Sequence, residues 1–149
     1  MVAYSILKCL WKREWIIVEA TDDTGPFITG DHPICLSWIN LADVPPMERN
    51  NPGHGMVGTR IIFPLSRRLA LIGQFMDNHE PTSLRTTATR DMVAGLNAQA
   101  FQNAIKQVYA PSPGFNIQIK EGVCDGTHLI QMFKKRAEEA LKQERSPSI

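Results

Sequence analysis

The sequence predicts an α+β fold: an antiparallel β-sheet of about five to six strands packed against one long central helix and a C-terminal helix. Three observations predict it. Short runs rich in β-branched and aromatic residues, bounded by Gly, Pro, Asn and Asp, fill the first half of the chain. An apolar stripe at three- and four-residue steps then runs from Met92 to Val108, and a second from Leu129 to Leu141. Strands gathered apart from helices suit an α+β arrangement rather than alternating βαβ units.

The elements follow in order. Ile6, Leu7, Leu10 and Trp11 recur at helical spacing, which predicts a short helix over residues 3–12. Trp15 to Thr21 carries a strand signal, and Asp22-Asp23-Thr24-Gly25-Pro26 reads as a turn. With Phe27-Ile28-Thr29 resuming the pattern, residues 15–21 and 26–30 are expected to form a hairpin. A further strand, Ile34 to Trp38, follows Pro33. Residues 40–58, with Pro45-Pro46 and Asn50-Asn51-Pro52-Gly53, read as a long loop, a length that in compact domains tends to be functional. Strands are expected at 59–64 and 69–75, joined at Ser66-Arg67-Arg68, with a second loop at 77–84. The main helix starts near Thr87 and is ended by Pro111, Pro113 and Gly114. Phe115 to Ile119 alternates like a half-buried strand, and a last helix starts after Asp125 or Thr127, both good caps. Residues 145–149 are expected to fray.

A chain of 149 residues is the size of one domain, expected here to span 1–149, and can bury a core without disulfides or metal. Sixteen basic against fifteen acidic residues give a net charge of +1, short of the excess typical of proteins that coat nucleic acid. Cys9, Cys35 and Cys124 are odd in number and widely spread, unlike a disulfide framework, and are expected to be small buried hydrophobes. No apolar run approaches the ~18 residues of a membrane helix. A cytoplasmic location and no membrane are therefore expected.

The strongest local signal is Phe27-Ile28-Thr29-Gly30-Asp31-His32-Pro33-Ile34. Asp commonly accepts from the backbone N–H two residues on. Here that residue is Pro33, which has none. Asp31 must accept from Ile34, from another segment, from water or from a ligand. His32 is held extended before the proline, and an Asp31–His32 pair could do acid–base work because imidazole titrates near neutrality. The plainer readings are a turn-stapling carboxylate and a partly exposed turn histidine. Asn97, at the edge of the main stripe, is a poor helix former; it either bonds the sheet or grips a ligand. His54, His79 and His128 form no paired metal-ligand spacing, and neither metal nor cofactor is implied. Phosphate-cradling and nucleophile-elbow motifs are absent. Basic clusters stand at Lys12-Arg13, Arg67-Arg68 and Lys134-Lys135-Arg136, the first beside Trp11 and Trp15.

Trp15 before a strand, the run Phe27 to Pro33, Phe63-Pro64-Leu65-Ser66 and Leu96-Asn97 in a helix together resemble the bacterial domain-of-unknown-function family numbered 4238, over about residues 7–109. In that family the strand typically reads Thr-Ser-Asp-x-Pro, so Gly30 stands where serine is usual. Proline usually follows Pro-Leu-Ser, and Arg67 takes that place here. Members usually carry a preceding helical portion with a His-Tyr-x-Pro-type motif that is not found in this chain. The chain is thus expected to match the C-terminal portion only. The resemblance implies a bacterial or phage-related origin and no known reaction.

The first functional expectation is a binding or protein-interaction module, with a homo-oligomer or another protein as partner. The rival is a hydrolase acting on nucleic acid or another phosphate ester, with Asp31 and His32 as the acid–base or metal-binding groups and Asn97 orienting substrate. A third reading is an RNA-binding module using Trp11, Lys12 and Arg13.

Overall fold

The structure, a computed structural model, describes residues 2–50, 52–75 and 85–144. Helix α1 (Val2–Trp11) leads into β1 (Glu14–Glu19), β2 (Thr29–Gly30) and β3 (Cys35–Trp38). A single 3-10 turn at Leu41–Asp43 interrupts the long loop before β4 (Thr59–Pro64) and β5 (Leu69–Gln74). Then come β6 (Arg85–Thr87), α2 (Arg90–Asn103), β7 (Val108–Tyr109), the hairpin β8 (Asn116–Ile119) and β9 (Gly122–Asp125), and α3 (Gly126–Glu144). The class is α+β. The loop and tail expected at 77–84 and 145–149 lie outside the described residues.

The main sheet has five strands in the order β3-β4-β5-β1-β6. It is mixed rather than wholly antiparallel, because β6 runs parallel to β1. Ile16, Ile72, Ile62 and Cys35 stand opposite one another across β1, β5, β4 and β3, one row of the core face. The expected hairpin of 15–21 with 26–30 does not form. β5 takes one edge of β1 and β6 the other, so no ladder position is left for the returning segment. Residues 26–28 are held instead by α2 and by Arg67, whose carbonyl accepts from the Phe27 N–H at 2.9 Å. β2 pairs with β7, an element the sequence had assigned to the helix.

Helix α2 starts as its cap chemistry requires: the Thr89 hydroxyl accepts from the Met92 N–H at 3.2 Å. Its buried side chains share one core with Val18, Ile62, Ala70 and Ile72 of the main sheet and with Phe115, Ile117 and Leu129 on the β8–α3 side. The helix is central, but it ends at Asn103, eight positions before Pro111; the capture of the Ile105 and Lys106 amides by Asp31 explains why. Asp125 caps α3, accepting from the His128 N–H at 3.0 Å. Of the three cysteines only Cys35 is fully buried; Cys9 and Cys124 are half-exposed and all three are free. No described helix is long and apolar enough to cross a membrane.

Candidate functional site

Asp31 finds its company in another segment. One carboxylate oxygen accepts from the Ile105 N–H and the other from the Lys106 N–H, both at 2.9 Å. The Asp31 N–H in turn donates to the Gln107 carbonyl at 3.1 Å. Partial desolvation works to raise the Asp31 pKa. The N–H groups of Ile105, Lys106 and Gln107, helped by His32, outweigh it and hold the carboxyl below its ordinary value. Asn103 reciprocates from the last turn of α2, its Nδ2 donating to the carbonyls of His32 at 2.7 Å and Ile34 at 3.1 Å. The His32 ring is 56% exposed, with Nδ1 3.7 Å from the nearer Asp31 oxygen, too long for a hydrogen bond.

Asn97 is 1% exposed and spends both ends of its amide. Its oxygen accepts from the Ile28 N–H at 2.9 Å; its nitrogen donates to the carbonyls of Pro26 at 3.0 Å and Asn116 at 2.8 Å. It ties α2 to the segment before β2 and to β8. Asp31 and Asn97 thus hold opposite ends of residues 26–31 against the helix, and their polar atoms face backbone. Among the described residues no three His, Cys, Asp or Glu side chains gather to hold a metal ion.

Arg13, placed by the sequence in a basic surface cluster, is 4% exposed. Its guanidinium donates to the Thr59 carbonyl and hydroxyl, to the Gly73 carbonyl and, at 2.7 Å, to the His54 carbonyl. It also lies 4.3 Å from the Phe75 ring centroid, a cation–π contact. Burial lowers its pKa while the nearby Cys9 acts to raise it. Trp11 and Lys12 stay exposed, but Trp15 turns inward across Gly73, where a Cβ would stand 2.6 Å from the indole. The proposed stacking-and-charge cluster is therefore split between surface and interior.

Several clefts open among the described residues, and three bear on function. The largest, about 550 Å³, lies where the long loop folds back on the sheet, between Trp38, Val44, Met56, Val57 and Phe75. Gly58 closes the inner turn of that loop with φ +84, a conformation that side chains rarely adopt. Two smaller clefts, about 210 and 320 Å³, share Arg67 and Pro111. Phe27-Ile28-Thr29 and Pro64-Leu65-Ser66, from the two motifs that stood out in the sequence, both line the larger of these.

Residues 2–113, most of the chain, match the family described as "Protein of unknown function (DUF4238)". The chain belongs to this family. No curated protein and no solved structure matches it. The two departures from the family's usual motifs now have local explanations. At Gly30 a Cβ would stand 2.7 Å from the Ala104 Cβ, so the serine usual in the family does not fit against this chain's Ala104 without a shift. At Arg67 the backbone N–H meets no described acceptor, so the family's proline would lose no hydrogen bond there. Arg67 adds a guanidinium that proline lacks.

Proposed function

We propose that this domain is a protein-interaction module whose partner presents an apolar anchor beside a basic residue. One observation carries the reading: the largest cleft is apolar, its lining includes the carboxylates of Asp43 and Glu48, and no cation lines it. Exposed Ile39, Met56 and Val57 line it, exposed Leu41 and Met47 belong to the same loop, and clustered exposed apolar side chains of this kind mark binding surfaces. Methionine suits such a surface because its thioether chain adapts to the shape it meets. Arg13 fixes the floor of the cleft by holding His54 and Thr59, either side of Met56 and Val57. The hydrolase alternative has less support. Both Asp31 oxygens are engaged by amides, and Asn97 points at backbone, which leaves neither group aimed at a substrate.

The test is a titration with short synthetic peptides, read at the Trp38 indole N–H, which donates to the Arg49 carbonyl at the rim. Peptides with Leu or Phe next to Lys or Arg should shift that resonance, and acidic counterparts should not. Asp43→Lys and Val57→Glu should abolish the shift. Equal response to acidic peptides, or concentration-dependent self-association through the same face, would overturn the reading. So would turnover of a phosphodiester that is lost in Asp31→Asn.

A further inference from the structure

The two clefts at Arg67 lie apart from the surface just proposed, and their chemistry is different. One lobe is mixed, with Thr21, Asp22, Arg68 and Ser112 in its walls beside Pro26. The other is mostly apolar, walled by Phe27, Ile28, Pro64, Leu65, Tyr109 and Pro111. Arg67 is common to both, and its guanidinium makes no hydrogen bond or ion pair with any described residue. Its neighbour Arg68 is already paired with Asp22 at 2.6 Å.

Unspent donors collect around Arg67. The Ser66 hydroxyl oxygen accepts from the Arg68 N–H at 3.2 Å and the Leu69 N–H at 3.1 Å, which leaves its own hydrogen to donate outward. Thr29 stands in the wall of the apolar lobe. The charge count fixes the class of ligand that would suit these clefts. Two guanidinium groups and one carboxylate leave the lining with one net positive charge, which a single negative charge balances.

We propose that the paired clefts at Arg67 bind a small organic monoanion, with its charged group at Arg67 and an apolar or aromatic body against Pro64, Tyr109 and Pro111. Carboxylates and phosphodiesters share this chemistry. The site is peculiar to a chain that carries arginine after Pro-Leu-Ser, and it stands or falls independently of the peptide surface.

Titration with N-acetylphenylalanine and with 3′,5′-cyclic AMP tests it, with N-acetylphenylalanine amide and adenosine as the neutral counterparts. Binding is read by calorimetry and by the amide resonances of Thr29 and Tyr109. At least one anion is expected to bind and its neutral counterpart is not; which anion binds identifies the source. Arg67→Pro and Arg67→Gln should each weaken that anion about tenfold or more, the scale of one lost charge-assisted hydrogen bond. Two variants guard against a folding defect in either. No saturation by either anion at about 10 mM, equal binding of the neutral form, or unchanged affinity in both variants overturns the proposal.

Discussion

Arg13 donates to Thr59 twice, to its carbonyl at 2.9 Å and to its hydroxyl at 2.8 Å, so one cation fixes the first residue of β4. The same guanidinium reaches Gly73 on β5 and His54 in the loop. No carboxylate is among these partners. The charge is met by oxygen dipoles and by the Phe75 ring. Nucleic-acid binding through this residue would need its planar fork to face solvent, and the fork is spent on the interior.

Arg13→Met should therefore cost stability out of proportion to its charge. Two buried carbonyls and one part-buried one lose a donor, an effect on the order of 2–4 kcal/mol. In a chain of this size that lowers Tm by roughly 4–15 °C. Arg13→Lys should lose less, since an ammonium donates but cannot span four acceptors in one plane. Amide exchange at residues 53–58 should accelerate in both. Unchanged exchange there would mean that the loop is held by something else.

The stability owed to Asp31 should depend on pH in a defined sense. Its folded pKa lies below the ordinary value, because three amides favour the charged form. The contribution is complete above the unfolded pKa of about 3.9 and is lost as pH falls through the lower folded value. Asp31→Asn keeps one acceptor oxygen and turns a donor toward the second amide. The gap in Tm between wild type and variant should be widest near neutrality and should narrow as pH falls through the lowered folded value. A gap independent of pH would show that the two amide bonds are not to the ionised form.

How much of this was legible follows from range. That Asp31 needed a distant partner could be read from Pro33, a local fact. That the partners would be Ile105 and Lys106 could not, since they lie 74 and 75 positions further along the chain. The same capture misled the reading of α2: its apolar stripe continues to Val108, but the amides that would extend the helix belong to Asp31. Lys12-Arg13 looked like a solvated pair because nothing nearby announces carbonyls 46 and 60 residues away. The strands β4 and β5 were placed correctly because a short turn and local alternation suffice to set them.

Gly30 should resist the family's own serine. A Cβ there meets the Ala104 Cβ at 2.7 Å and the Ala104 Cα at 3.3 Å, so one strand or the helix end must move. Gly30→Ser is expected to cost about 1–3 kcal/mol. Ala104→Gly removes the obstructing methyl and should recover most of that loss when combined with it. Urea denaturation of the two single variants and the double measures the coupling, and strict additivity would remove the steric explanation.

Asn97 offers the sharpest separation between a structural staple and a ligand-gripping group. Asn97→Leu removes one acceptor and two donors at once, stranding the Ile28 N–H and the carbonyls of Pro26 and Asn116. A loss of roughly 2–4 kcal/mol is expected at every pH. Asn97→Asp is nearly isosteric but points a carboxylate oxygen at those two carbonyls inside the core, so its folded pKa must rise above the unfolded value. It should be less stable than Asn97→Leu at pH 7 and recover as pH falls toward 4, a recovery the leucine variant cannot make. A residue that only contacted a ligand would behave otherwise: Asn97→Asp would then fold with wild-type stability at pH 7. Parallel thermal melts of the two variants from pH 4 to 8 distinguish the cases, because only a side chain bonded to buried backbone makes stability follow the charge placed at position 97.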